Sequence, residues 1–387
     1  MGDSGKVGVC AEHNSFPTPF AQRPIIILGA GIIGCATARQ LLLQGFSVQL
    51  VAEFLPGDQN IHYASAWAGA AWHAAGGITP EQRYLQAVTH RILLQMAQDP
   101  ESGVSVVDAR EFLEKEPSPD SAIWGRTVVS KFREMDRTEY PAKFHSAWAY
   151  ETLVSDPTRH MPYLGRQVQS LGGRFIRQRV QSLQQLYEMF PDSRVFINAS
   201  GIGSKTLTDV LDDRCFPERG QNVFLRTDQC HMMYFRNGQE YTYVIPRPQS
   251  GGVVLGGVKQ QDDLSVPIPI QSIRSHIHGP GKDKRAATDP RTRSPEVDFD
   301  IARDEITRAH RLAPHIVPEH PADETVSHII GIRPSRRGGF RLDSTQNGAR
   351  TVLSAYGFGG GGYAFSYGIA DALVKMVERA ERENVIV

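Results

Sequence analysis

No charge of either sign is in excess, since Lys+Arg and Asp+Glu number 42 each among 387 residues. Without a global basic field the chain cannot attract nucleic acid or anionic lipid over distance, so neither class of partner is expected. Cysteine is scarce as well. Cys10, Cys35, Cys215 and Cys230 stand far apart with no Cys-x-x-Cys spacing, which speaks against a zinc site and a disulfide framework and fits a reducing compartment. No apolar run approaches the roughly 20 residues that a membrane helix needs, and residues 1–23 lack the apolar core of a signal peptide. What is present is an ordinary globular composition, 40% hydrophobic and 22% charged, enough for a large core and two domains.

The strongest positive signal is Pro24-Ile25-Ile26-Ile27-Leu28-Gly29-Ala30-Gly31-Ile32-Ile33-Gly34, an apolar run broken by Gly-x-Gly-x-x-Gly. It predicts a strand, a tight turn and a helix that bind a dinucleotide. Gly29 permits the turn, Gly31 lets a pyrophosphate approach the backbone, and Gly34 lets the helix lie close to the strand. The N-terminus of the helix then faces phosphate oxygens. Ile25 to Leu28 supplies the strand, Cys35 to Gln44 the helix, and Ser47 to Ala52 a second strand ending at Glu53. Glu53 lies 19 residues after Gly34, where an acidic side chain accepts hydrogen bonds from ribose hydroxyls.

Residues 1–23 read as an extension before the first strand. Helices are expected near Gln82 to Gln98, near Thr158 to Leu171 and over Ala370 to Glu383. Two strand-like runs, Met232 to Phe235 and Tyr241 to Ile245, flank Arg236-Asn237-Gly238, which reads as a hairpin turn because Asn-Gly readily takes positive φ. Gly279 to Pro295, rich in Lys, Arg, Asp and Pro, reads as an exposed mobile insertion.

Four separated blocks, in order, resemble the D-amino-acid oxidase and D-aspartate oxidase family of flavoenzymes. They are Gly29 to Gly34; Trp67-Ala68-Gly69-Ala70-Ala71-Trp72; Tyr243-Val244-Ile245-Pro246-Arg247-Pro248; and Gly331-Ile332-Arg333-Pro334-Ser335-Arg336-Arg337-Gly338-Gly339. A fifth, Ala355-Tyr356-Gly357-Phe358, leads into a glycine loop. The resemblance implies an α/β fold: a doubly wound, Rossmann-like FAD-binding domain joined to a substrate domain with a curved mixed or antiparallel sheet. It assigns residues 24–80, 158–205 and 325–383 to the first and 81–157 and 206–324 to the second. It also selects FAD over NAD, held without a covalent bond.

In this family the arginine of the Arg-Pro motif, here Arg333, anchors the substrate α-carboxylate through its planar fork, and Tyr243 matches a tyrosine that donates to the same group. Arg236 falls where the acidic-substrate branch carries an arginine, and Lys259 lies near a second such position. Arg236 has a second reading as a turn cation pointing to water, and Lys259 reads equally as a solvated strand-edge lysine. The resemblance places Ala30, Ile32, Ile33, Ser65, Gly69, Ala70, Ser200 and Gly201 along the diphosphate and flavin edge, and Val180 at the adenine. Gly359, Gly360, Gly362 and Tyr363, with Arg333, stand beside the ring, where N–H groups stabilise reduced flavin. Ala364 and Ser354 depart from the family pattern.

The implied reaction is oxidation of acidic D-amino acids to 2-oxo acid, ammonia and hydrogen peroxide, with oxygen as acceptor. Hydride passes from Cα to flavin N5, a step that needs orientation more than an enzymic base. Neutral or broad D-amino acids, a sarcosine or glycine type of amine oxidation, and a flavin-binding module without catalysis remain open, as does a homo-oligomer. Resemblance points to peroxisomes, whereas the ending Asn384-Val385-Ile386-Val387 is not their Ser-Lys-Leu address and points to the cytoplasm.

Overall fold

Four consecutive buried aliphatic residues make β1 (Ile25–Leu28), and the chain turns through Gly29 into α1 (Ile32–Leu43). Gly29 has φ +105°, and a Cβ there would sit 2.4 Å from the Ala199 carbonyl oxygen, so the turn admits only glycine. β2 (Val48–Ala52) returns parallel to β1 in the register Ile25↔Val48. The computed structural model describes residues 23–117, 122–257, 260–261 and 297–385. Lys259, the segment 279–295 and nearly all of the extension 1–23 lie outside the described residues.

α2 (Pro80–Met96) opens on a capping box between Thr79 and Gln82. β3 (Val104–Leu113), β4 (Ser130–Glu134) and β5 (Ser146–Ser155) follow, and Asp156 then caps α3 (Pro157–Ser170). β6 (Arg174–Arg177), α4 (Leu183–Met189) and β7 (Val195–Asn198) return the chain to the first sheet. β8 (Cys215–Arg226), β9 (Met232–Asn237), β10 (Thr242–Arg247), β11 (Gly252–Gly256) and β12 (Gln260–Gln261) build the second. After α5 (Phe299–Leu312) come β13 (Val326–Arg336), β14 (Arg341–Asn347), β15 (Arg350–Tyr356) and α6 (Gly362–Val385).

The first sheet has the order β14-β15-β7-β1-β2-β6, parallel except for β14. Its central strands β1, β2 and β7 are mostly hydrophobic and buried because helices cover them, whereas β14 at its edge is polar. The second, of nine strands, runs β12-β8-β11-β10-β9-β3-β5-β4, with β13 paired to β8. β3 and β9 are parallel and the other pairs antiparallel, so this sheet is mixed. Alternate residues separate its faces. Phe235, Tyr243 and Ile245 pack on one core cluster, while Tyr234 and Val244 pack on another with Phe144 and α5.

Several boundaries differ from the sequence reading. β13 falls within 325–383 yet pairs with β8 from Val326↔Leu225 to Arg336↔Cys215, so it belongs to the second sheet. α2 falls within 81–157 yet buries Leu85, Leu93 and Met96 in the core built on β1 and α1. α6 starts eight residues before Ala370, because the loop ahead of it is already helical and Gly362 has φ −49° and ψ −49°. The Asn-Gly turn does not form, since neither Asn237 nor Gly238 has positive φ. The Glu114 carboxylate occupies the place of a Gly238 side chain and accepts from the Gln239 N–H at 2.8 Å, closing a longer connection.

Candidate active site

Between the two sheets lies a cavity of about 840 Å³, a size typical of small-molecule sites. At one end it is lined by Gly29, Ala30, Gly31, Ile32 and Ile33. The side chain of Ser65 reaches over Gly31 and accepts from the Ile32 N–H at 2.9 Å. No side chain of its own caps the first turn of α1, so backbone N–H groups and the helix dipole point into the cavity. Gly34 is not part of the wall. It lies beneath, where a Cβ would sit 2.0 Å from the Gly29 carbonyl oxygen, and so performs the packing role expected of it.

Glu53, at the end of β2, lines the same end with its carboxylate 3.8 Å from Arg179 Nε. Val180, Ser200 and Gly201 complete this part of the wall. Along the middle run Gly69, Ala70 and the loop Gly359, Gly360 and Gly362, with Tyr363 donating to the Ser65 carbonyl oxygen at 2.8 Å. Ala70 has φ +47°, uncommon for a residue with a side chain. Its carbonyl oxygen accepts from the Ser155 N–H, which holds this conformation. Trp72 is absent from the wall. It is 1% exposed, donates its indole N–H to the Gln86 carbonyl oxygen and is ordinary core.

The second sheet supplies the other end. Tyr243 is buried and donates to Asn222 Oδ1 at 2.7 Å, crossing Gly256, where a Cβ would lie 2.5 Å from the Tyr243 hydroxyl. Burial pushes its phenol up to about 12 against the opposing pull of Arg333, so it stays a donor at neutral pH. Arg333 lies beside the same hydroxyl and donates to Glu218 Oε1 at 3.2 Å. Its guanidinium lies flat on the backbone of β8, in space left by Gly220. One edge of the guanidinium is therefore held by Glu218, and the remaining N–H groups stay available at the cavity wall.

Arg236 is not brought to the cavity. It projects from the opposite face of β9 to Phe235, donates to Glu114 Oε1 at 2.6 Å, pairs with Glu240 and lies over the Phe144 ring. The expectation that it meets the substrate is corrected on these grounds: two carboxylates already neutralise it. Phe235, Tyr241, His73 and Asn222 line the cavity and were missed. Phe235 was detectable as a neighbour of Tyr243 across a hairpin, and His73 directly follows the Trp67–Trp72 block. Asn222 carries no sequence signal.

Behind Arg333, Glu305 on α5 is wholly buried with neither carboxyl oxygen hydrogen-bonded. Burial pushes it up to about 9, against the opposing pull of Arg308. The folded state thus keeps a proton that the unfolded chain releases above about 4.5, and stability falls as pH rises from there to about 9. Glu305→Gln is expected to remove this slope. Its melting temperature should gain on wild type more at pH ~8 than at pH ~5, and an equal difference at both would contradict a proton held by Glu305.

The model of the family described as FAD dependent oxidoreductase matches residues 24–376. Among curated proteins, the D-amino-acid oxidase of Schizosaccharomyces pombe is 28% identical over 358 residues, covering 90% of this chain and 94% of its own. The D-aspartate oxidase of Talaromyces thermophilus is 28% identical over 396 residues, covering 93% and 96%. The solved structure of glycine oxidase from Geobacillus kaustophilus superposes with a TM-score of 0.64 at 16% identity, covering 92% of this chain and 94% of that one. The L-amino acid deaminase from Proteus myxofaciens superposes at 0.65 with 13% identity, covering 94% and 91%. At such identities the two structures show the fold alone.

Proposed function

The chain belongs to the FAD dependent oxidoreductase family, and from that premise we propose that it oxidises D-amino acids, acidic ones preferentially, to 2-oxo acid, ammonia and hydrogen peroxide. The observation that carries the reading is the meeting of Arg333 and Tyr243 on the part of the cavity wall that the second sheet supplies. A planar fork, and a neutral phenol whose one O–H turns from Asn222 Oδ1 to the ligand, together hold one carboxylate and fix which face of Cα is presented.

The cavity suits FAD on its own terms. A pyrophosphate has the open first turn of α1, a ribose has Glu53, and the glycine loop admits a flat ring with backbone N–H groups beside it. When bound, FAD supplies the two-electron acceptor that takes the Cα hydrogen with its electrons and delivers them to oxygen. The chain's own residues bind and orient. Tyr243 and Arg333 set the distance from Cα to the ring, and the aromatic wall of Phe235, Tyr241 and Tyr243 keeps water from the reacting face.

An acidic preference can no longer rest on Arg236, and Lys259 lies outside the described residues. The same aromatic wall supports a second reading, neutral D-amino acids as the main substrates. Anaerobic bleaching of the flavin by D-aspartate and by D-alanine separates them, and no bleaching by either would overturn both. Arg236→Ala is expected to cost about 2 kcal/mol, because Glu114 loses a charged hydrogen bond in a half-buried setting. Thermal unfolding measures that loss, while the D-aspartate to D-alanine ratio of kcat/KM should move less than about twofold. A collapse of the ratio would restore Arg236 to the substrate.

A further inference from the structure

Across the inner face of the second sheet, neighbouring strands place Glu111, Phe235 and Tyr243 in one row. His73 stacks on the middle member, its ring 4.3 Å from Phe235 and nearly parallel to it. Nε2 of His73 lies 3.2 Å from Glu111 Oε2. The segment bearing His73 is stapled to β5: Ser155 donates to Ala70, Trp72 donates its N–H to Leu153, and Thr152 donates to the Trp72 carbonyl oxygen at 2.6 Å. Glu111 is 2% exposed and also accepts from Tyr150 at 3.1 Å.

We propose that His73, oriented by Glu111, reads the substrate side chain, its second nitrogen Nδ1 donating to the terminal carboxylate of an acidic D-amino acid. The proposal deepens the acidic reading above and rests on it. A buried carboxylate demands a cationic or donating partner, and of the described side chains paired or bonded with Glu111, namely His73, Tyr150 and Asn237, His73 is the one that lines the cavity. With Nε2 turned to Glu111, no described residue bonds Nδ1. The imidazolium offers a charged N–H there, whereas the neutral ring, its proton on Nε2, offers only a lone pair. Phe235 separates His73 from Tyr243 by one ring, its centroid 5.9 Å from that of Tyr243. A substrate whose α-carboxylate is held by Arg333 and Tyr243 thus extends its side chain along Phe235 toward His73.

Burial works against the Glu111 carboxylate, but His73 and hydrogen bonds from Tyr150 and Asn237 outweigh it and keep its pKa below the usual value. The other titratable groups facing the pair are Tyr150 on β5 and Tyr241 ahead of β10, and burial raises both phenols. Neither changes charge near neutrality.

The test uses the holoenzyme and compares kcat/KM for D-glutamate, D-aspartate and D-alanine. In His73→Gln the acidic to D-alanine ratio should fall by about tenfold or more, and Glu111→Gln should weaken it in the same direction. Binding of glutarate, followed by the flavin spectrum, gives a readout independent of turnover. Its affinity should fall by about tenfold or more in His73→Gln. A ratio or a glutarate affinity within about twofold of wild type in His73→Gln overturns the proposal. Wild-type enzyme that oxidises no D-amino acid would instead sink the parent reading, and glutarate binding would still judge His73. Should His73→Gln fail to retain flavin, His73→Asn decides by the same two readouts.

Discussion

Arg333→Leu is expected to lower kcat/KM for the best D-amino acid by about a hundredfold to ten-thousandfold, the consequence of removing one partner from a desolvated charge pair. Two losses combine. The substrate carboxylate forfeits its forked donor, and Glu218, 6% exposed, is left without its guanidinium. Arg333→Lys should fall between the two, since an ammonium keeps the charge but not the planar fork that lies on Gly220. Steady-state kinetics at matched flavin content measure the effect. Activity within threefold of wild type in the leucine variant would remove Arg333 from the substrate site.

Gly34→Ala is the second large effect. The added carbon would stand 2.0 Å from a backbone oxygen, not from a side chain that can swing aside. α1 must then move off β1, and the N–H groups of its first turn leave the position that serves the pyrophosphate. The variant is expected to lose FAD affinity by more than about a hundredfold, with unfolding free energy lower by several kcal/mol. Flavin absorbance per mole of protein, together with a denaturant titration, reads both. A preparation with full flavin content and an unchanged midpoint would refute the close-packing role.

How much of this was legible before the fold depends on how far apart the cooperating residues lie. The unit β1–α1–β2 is local, and its glycines sit where turn, approach and packing require them, so their spacing together with the flanking strands and helix predicted this unit. Arg333 and Tyr243 were singled out through the family resemblance, and both line the cavity. Arg236 failed for a reason of register. A two-residue Asn-Gly turn would pair Tyr243 with Met232 and set Arg236 on the face of Tyr243, whereas the observed pairing is Tyr243↔Phe235, which sends Arg236 to the other face. Glu114, just past the end of β3 and 122 residues away, decides that outcome, and no local pattern announces it. His73 and Glu111 were hidden likewise, since their contact exists only once the segment after Ala70 is stapled to β5.

Tyr363, on the final helix, bonds the carbonyl oxygen of Ser65, and β15 sits beside β7 near the middle of the first sheet. The chamber therefore stays unfinished until β15 and Tyr363 have left the ribosome. Nascent chains and fragments that stop short of β15 would accumulate as colourless protein with an open sheet edge. Such an edge invites aggregation, so during production the supply of flavin matters most in the moments after β15 and the start of α6 emerge.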